Sequence, residues 1–176
     1  MKYNFNQLKE IVKSKMSLKR FTHTLGVVEM AEKLADIYKA DVEKCKLAAL
    51  LHDICKEMDM EYIKTICKNN FLNELSEEDL ENNEILHGFA GAYYVNKEFE
   101  IEDSEVLNAI KYHTIGSKDM TLVEKIIYIA DAIEYGRNYP INEPSTGQFN
   151  SVPEFLIKRI LSKLLSFTLE SSKLDL

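Results

Sequence analysis

The stretch "AALLHDICKE", Ala48 to Glu57, decides how this chain is read. An apolar helical run leads straight into His52 and Asp53. Burying an unpaired carboxylate beside such a run is costly. The pair therefore sits either at a solvated helix end or beside a compensating positive charge inside the protein. Upstream, Asp41 can cap a helix that runs through Leu47 and Leu51 towards Lys56.

The flanking segments share the helical period. Ser17 can cap a long helix in which Phe21, Thr24, Val28, Ala31, Ala35 and Tyr38 form one stripe. His23, Val27, Met30, Leu34 and Ile37 form the stripe beside it, so His23 lies on the apolar side. Asp59 to about Lys68 reads as a shorter helix, and residues 72–84 as an acidic, solvated loop carrying a helical turn. From Leu86, "LHGFAGAYYVNKEF" places His87, Ala90, Gly91 and Tyr94 on one face. Asp103 can cap "SEVLNAIKYHT", where Ala109, Ile110 and His113 share a face and Gly116 follows as a stop. Thr121 with Glu124 forms a capping box before "LVEKIIYIADAIEY", closed by Gly136. Residues 138–152 read as a loop or lid, and an apolar helix resumes from Pro153. With only 6 Gly and 3 Pro as punctuators, one all-α domain is expected.

The bulk numbers narrow the function. A chain of 176 residues with 45 % hydrophobic content can build a real core. A formal charge of −7 argues against generic binding to nucleic acid or an anionic membrane, since both need a basic face. A phosphorylated substrate would need locally placed cations or metal ions. Cys45, Cys55 and Cys67 are odd in number and without paired spacing, which predicts reduced thiols in a cytosolic protein. Cys55 reads as a small buried hydrophobe rather than a soft metal ligand. No apolar run approaches the ~20 residues that span a bilayer, so a soluble protein is expected.

Four histidines, His23, His52, His87 and His113, fall on four different predicted helices, each beside apolar or small residues. One histidine so placed is usually a satisfied core residue, but four would each need separate hydrogen-bond partners. Asp53 and Asp131 share the predicament; each is either a solvated helix-end carboxylate or part of something larger. A common metal site answers all six placements, with imidazoles supplying nitrogen and carboxylates cancelling the ion's charge.

The order His, His-Asp, His, His, Asp resembles the HD superfamily of metal-dependent phosphohydrolases. The fuller strings "RFTHTLGVVEMAEKLA", "AALLHDICKE", "ILHGFAGAYYV" and "AIKYHTIGSKDMTLVEKIIYIADAIEYGR" resemble the YqeK family of symmetrical bis(5′-nucleosyl)-tetraphosphatases. The resemblance covers residues 17–137 and implies a single HD-domain helical bundle over 1–176 with a C-terminal helix packed on it. It implies hydrolysis of diadenosine tetraphosphate to two ADP, with iron or another divalent transition metal as cofactor, one or two ions per chain. His23, His52, Asp53 and Asp131 would hold the principal metal. His87 and His113 would hold a second metal or contact the phosphates, and Arg20, Lys56 and Arg137 would bind the substrate. Asp53 and Lys56 are the expected catalytic residues. With no serine or cysteine nucleophile constellation in view, direct attack by water is expected. The implied partner is a dinucleoside polyphosphate in the cytoplasm, with no nucleic acid and no membrane; an oligomer is left open. Three alternatives stand beside this reading: another HD phosphohydrolase, an HD-type di-iron oxygenase, and a non-catalytic nucleotide sensor.

Overall fold

Every helix start in the structure meets the same physical need, an acceptor for the orphan amides of the first turn. The computed structural model describes residues 2–134. Among them are seven α-helices: α1 (Phe5–Lys15), α2 (Leu18–Tyr38), α3 (Val42–Leu51), α4 (Met60–Asn70), α5 (Asn83–Phe99), α6 (Ser104–Tyr112) and α7 (Leu122–Ile133). Asn4, Ser17, Asp41, Asp59, Asn82, Asp103 and Thr121 cap them in turn, each accepting a backbone N–H. A cap of this kind is worth about 1 kcal/mol, so the boundaries are strongly specified by single residues.

Helix α1 is absent from the sequence reading. Its signals were present: a reciprocal Asn4–Gln7 capping box, and Leu8 and Val12 one turn apart, both fully buried. The 72–84 segment holds a 3-10 turn, Asp79–Glu81, but it is not merely solvated, since Leu75 and Leu80 are buried. Helix α5 starts three residues before the predicted Leu86. Helix α7 ends at Ile133 rather than at Gly136, because Glu134 leaves it in an extended conformation (φ −55°, ψ 151°).

Helix α2 packs on α3 and α7, α6 on α5, α7 and α3, and α4 on α5, so α3 and α6 form the middle of the bundle. Leu50, Leu51, Ile54, Phe89, Ile110 and Ile127 fill its centre. Full burial of such side chains contributes about 1.5–3 kcal/mol each. Helices α5 and α6 touch backbone to backbone. A Cβ on Gly88 would lie 2.6 Å from the Lys111 carbonyl oxygen, so only glycine permits this approach. Lys111 in turn sits about 5 Å from the rings of Phe71, Phe89 and Tyr112 and 2.5 Å from Glu74, which ties the 71–75 turn to α6.

No helix among the described residues is long and apolar enough to cross a membrane. The described residues lie in the first of two units into which the chain divides, Met1–Gly136. The expected loop at 138–152, the C-terminal helix and the single domain over 1–176 reach outside the described residues.

Candidate metal centre

The decisive departure from a simple helix occurs at His52. Helix α3 ends at Leu51, and the chain tightens into successive turns, with Ile54 N–H to Leu51 O, Lys56 N–H to Asp53 O and Met58 N–H to Cys55 O. The sequence reading continued the helix towards Lys56. The turn instead directs Asp53 back among the helices while His52 remains on the axis of α3. The far end of the turn is tied to two helices. Glu57 accepts from the Ser17 N–H (2.6 Å) and hydroxyl (2.8 Å) at the start of α2, and Asn83 of α5 donates to Lys56 O.

Three histidines spend Nδ1 on a backbone carbonyl of their own chain segment: His52 on Ala49 (2.7 Å), His87 on Asn83 (2.8 Å) and His113 on Ile110 (2.7 Å). Each Nδ1 must donate there, so each neutral ring turns an Nε2 lone pair inward. His113 follows α6 immediately, as His52 follows α3. The fourth, His23 on α2, faces Glu134 Oε1 with Nδ1 at 3.2 Å.

Asp53 stands at the centre. Its Oδ2 lies 2.8 Å from Arg20, 3.3 Å from His52 Nε2 and 3.7 Å from His23 Nε2. Its Oδ1 lies 3.2 Å from His87 Nε2 and 3.6 Å from His113 Nε2. Asp131 Oδ1 is 3.0 Å from His23 Nε2 and 3.8 Å from His52 Nε2. His87 and His113 oppose their Nε2 atoms at 2.9 Å. All six predicted ligands thus converge, and two subsets, His23–His52–Asp131 and His52–Asp53–His113, each place their donor atoms within 4.8 Å of one another.

The donor set fits a divalent metal on three counts. First, the Nε2 atoms of His23 and His52 are buried without a hydrogen-bond partner: their carboxylate neighbours are close but not placed as hydrogen-bond acceptors. Second, two inward lone pairs 2.9 Å apart, on His87 and His113, repel unless a cation lies between or beside them. Two nitrogens bound at about 2.1 Å and at right angles lie about 3.0 Å apart, which is this spacing. Third, the charge is unbalanced. Burial disfavours a charged His52, yet the negative charges of Asp53 and Asp131 pull its pKa up to about 9. Burial likewise opposes ionisation of Asp53, but His52, His113 and His87 hold its pKa well below the usual value. The site attracts a cation, and a proton is only the smallest one. His113 departs from this, since burial and its neighbours His52 and His87 lower its pKa despite Asp53.

Residues 20–136 match the HD domain family. A Staphylococcus aureus protein named symmetrical bis(5′-nucleosyl)-tetraphosphatase is 45 % identical over 138 residues, 78 % of this chain and 70 % of that one. One of the same name from Halalkalibacterium halodurans is 43 % identical over 133 residues, 74 % of this chain and 69 % of that one. The chain belongs to the YqeK family of HD-domain proteins. The crystal structure of a Clostridium acetobutylicum protein, described as a predicted HD superfamily hydrolase involved in NAD metabolism, matches with a TM-score of 0.75. That protein is 42 % identical, and the match covers 80 % of this chain and 74 % of that one.

HD-domain hydrolases bind divalent metals, and the His/Asp clusters described above suit that role. Of the three cations expected at the substrate, Arg20 pairs directly with Asp53. Lys56, one turn beyond Asp53, is mostly buried and pairs with Glu84 at 2.6 Å, three residues before His87. Arg137 lies outside the described residues. Cys55 is buried, and burial pushes its thiol up to about 12, so it belongs to the core as expected. Two residues of the site escaped the sequence reading. Glu57 clamps the His52–Asp53 turn to α2, and its only signal was proximity to the ligands. Glu134 backs His23, and its signal was its place three residues after Asp131, at the end of the same predicted helix.

Proposed function

We propose that this protein hydrolyses diadenosine tetraphosphate symmetrically into two ADP. The convergence of four imidazoles and two carboxylates supports the reaction class. The substrate is supported by the 43–45 % identity to two proteins named for this activity, over 74–78 % of this chain.

His23, His52, Asp53 and Asp131 would hold the principal ion, and His87 with His113 a second ion or the phosphate chain. Iron or another divalent transition metal suits a mixed imidazole and carboxylate set. When bound, the metal acidifies water and polarises a phosphoryl oxygen. Arg20 and Lys56 add positive charge that offsets what develops on the phosphoryl oxygens. Asp53 fixes both groups of histidines through its two oxygens and orients Arg20 at the same time. The histidines form a row: ring centroids are 5.5 Å apart for His23–His52, 4.9 Å for His52–His113 and 4.8 Å for His113–His87. A row of this kind can grip a tetraphosphate around its middle, leaving a nucleoside diphosphate on either side of the attacked bond. The net charge of −7 supports a small anionic partner held by local cations rather than nucleic acid or a membrane surface. Three buried, free thiols support a reducing, cytoplasmic location.

Hydrolysis in heavy-oxygen water tests the assignment. Water bonds to an inner phosphorus and ADP departs with the bridging oxygen, so ADP is the only expected product. One ADP of each pair carries label, on its terminal phosphate. AMP with ATP would place the attack at an outer phosphorus and overturn symmetrical cleavage. Preference for another nucleotide in a parallel panel would move the protein to a different HD phosphohydrolase activity.

A further inference from the structure

The four histidines are not held alike. His52, His87 and His113 are oriented by carbonyls of their own segments, fixed by the local fold. His23 is oriented by a carboxylate from the residue that follows α7, Glu134 Oε1 at 3.2 Å. Three residues earlier on α7, Asp131 Oδ1 faces the other nitrogen of the same ring at 3.0 Å. The end of α7 therefore holds the His23 imidazole from both sides. Glu134 is 3 % exposed, and a carboxylate is buried at a cost unless charge or hydrogen bonds compensate it.

Helix α2 makes room for this carboxylate. Gly26 lies three residues after His23, and a Cβ there would overlap Glu134 Oε2 and approach its Cδ to 3.3 Å. Glycine inside a helix is normally unfavourable because it loses more freedom on folding than alanine. Here the missing methyl group is the space that the carboxylate occupies.

We propose that Glu134 is a positioning residue for the metal centre, fixing the orientation and tautomer of His23, and that Gly26 is the seat that lets it do so. The inference rests on the metal reading of the site. A carboxylate on the far nitrogen of a ligating histidine strengthens the ligand, and removing such a partner typically weakens metal binding ten- to a hundredfold.

The test uses the full chain, stripped with chelator and titrated with Co²⁺ alone, read by its visible absorption band and by competition with a chelating dye. Glu134→Ala and Gly26→Ala are each expected to weaken Co²⁺ binding by about ten- to a hundredfold and to change the band. Glu134→Gln keeps an acceptor for the Nδ1 proton without the charge, so it should recover part of the loss. In the Glu134→Ala background, Gly26→Ala should add less than about a twofold effect, because its methyl group no longer meets a carboxylate. The melting temperature of metal-free Gly26→Ala should not fall, which separates a seat from a general packing role. Wild-type affinity and spectrum in both Glu134 variants would overturn the inference, as would independent, multiplying losses in the double variant. Glu134→Gln is isosteric, and if an alanine variant fails to fold, wild-type affinity and spectrum in Glu134→Gln alone overturn the inference. Absence of Co²⁺ uptake by the wild-type protein would instead overturn the metal reading itself, and this inference with it.

Discussion

The two sides of the metal centre use the same ligand chemistry in opposite surroundings. On the α2–α7 side, His23 and Asp131 are partly open to solvent, and carboxylates from Asp53, Asp131 and Glu134 lie against the imidazoles. On the α5–α6 side, His87 and His113 are almost fully enclosed, and Asp53 Oδ1 is the carboxylate oxygen within reach. The first side is rich in negative charge and accessible. The second is dry and nearly neutral, and burial lowers the pKa of His113 accordingly. A divalent ion is stabilised where carboxylates cancel its charge, so under the proposed function a first ion would be favoured on the α2–α7 side. The α5–α6 pair is suited to complete a second ion or to meet phosphate oxygens once charge has been brought in.

Asp53 joins the two sides, so its removal should have the largest effect. Asp53→Ala takes one carboxylate oxygen from each group of histidines and leaves Arg20 without its partner. Metal content, measured by elemental analysis, and hydrolysis should both fall to background. Retention of either would mean that the two sides do not share this residue as the distances imply.

Gly88→Ala should break the comparison on one side only. The new Cβ would stand 2.6 Å from Lys111 O and 3.2 Å from Ile110 O, and backbone atoms cannot swing away as a side chain can. Helices α5 and α6 must part, at a cost of about 1–3 kcal/mol. For a chain of this size that corresponds to roughly 2–4 °C of melting temperature for each kcal/mol. His87 and His113, which ride on these helices, should lose their 2.9 Å spacing, while the α2–α7 side keeps its metal. A variant that melts lower, keeps one equivalent of metal and loses most turnover would fit two unequal halves. Loss of all metal would show that they act as one.

The same contrast explains what could be seen in the sequence. The gathering of His23, His52, Asp53, His87, His113 and Asp131 was legible because six polar residues interrupt apolar stripes, and such interruptions need a common cause. Helix starts were legible because Ser17, Asp41, Asp59, Asp103 and Thr121 are side chains that cap. The turn at 52–57 was not, because nothing local stops α3. Its geometry comes from Glu57 on the start of α2 and Asn83 on Lys56 O, contacts spanning 40 and 27 residues. Glu134 was invisible for a similar reason. A glutamate near a helix end reads as solvated, and only the approach of α2 at Gly26 encloses it. Helix α1 is a different case: its capping box was there to be read.

The smallest expected effect lies at the rim of the α5–α6 side, where Lys56 pairs with Glu84. The lysine side chain is 13 % exposed and the glutamate 68 %, so the cation is the fixed partner and the anion the mobile one. Hydrogen bonding from Lys56 lowers the Glu84 pKa, so the carboxylate is charged at neutral pH and competes with substrate phosphates for the lysine. Lys56→Ala should keep its metal and lose about ten- to a hundredfold in kcat/KM, the loss of one charge-assisted contact of ~1.5–3 kcal/mol. Glu84→Gln should do the reverse and more weakly. An exposed pair contributes about 0.2–1 kcal/mol, so releasing Lys56 should lower KM by no more than about fivefold, with kcat unchanged. The gain should shrink as salt rises, because added ions screen the pair in the wild-type protein too. If Glu84→Gln raises KM instead, the carboxylate is holding Lys56 in place for the phosphates rather than competing with them, and the rim belongs to the working site.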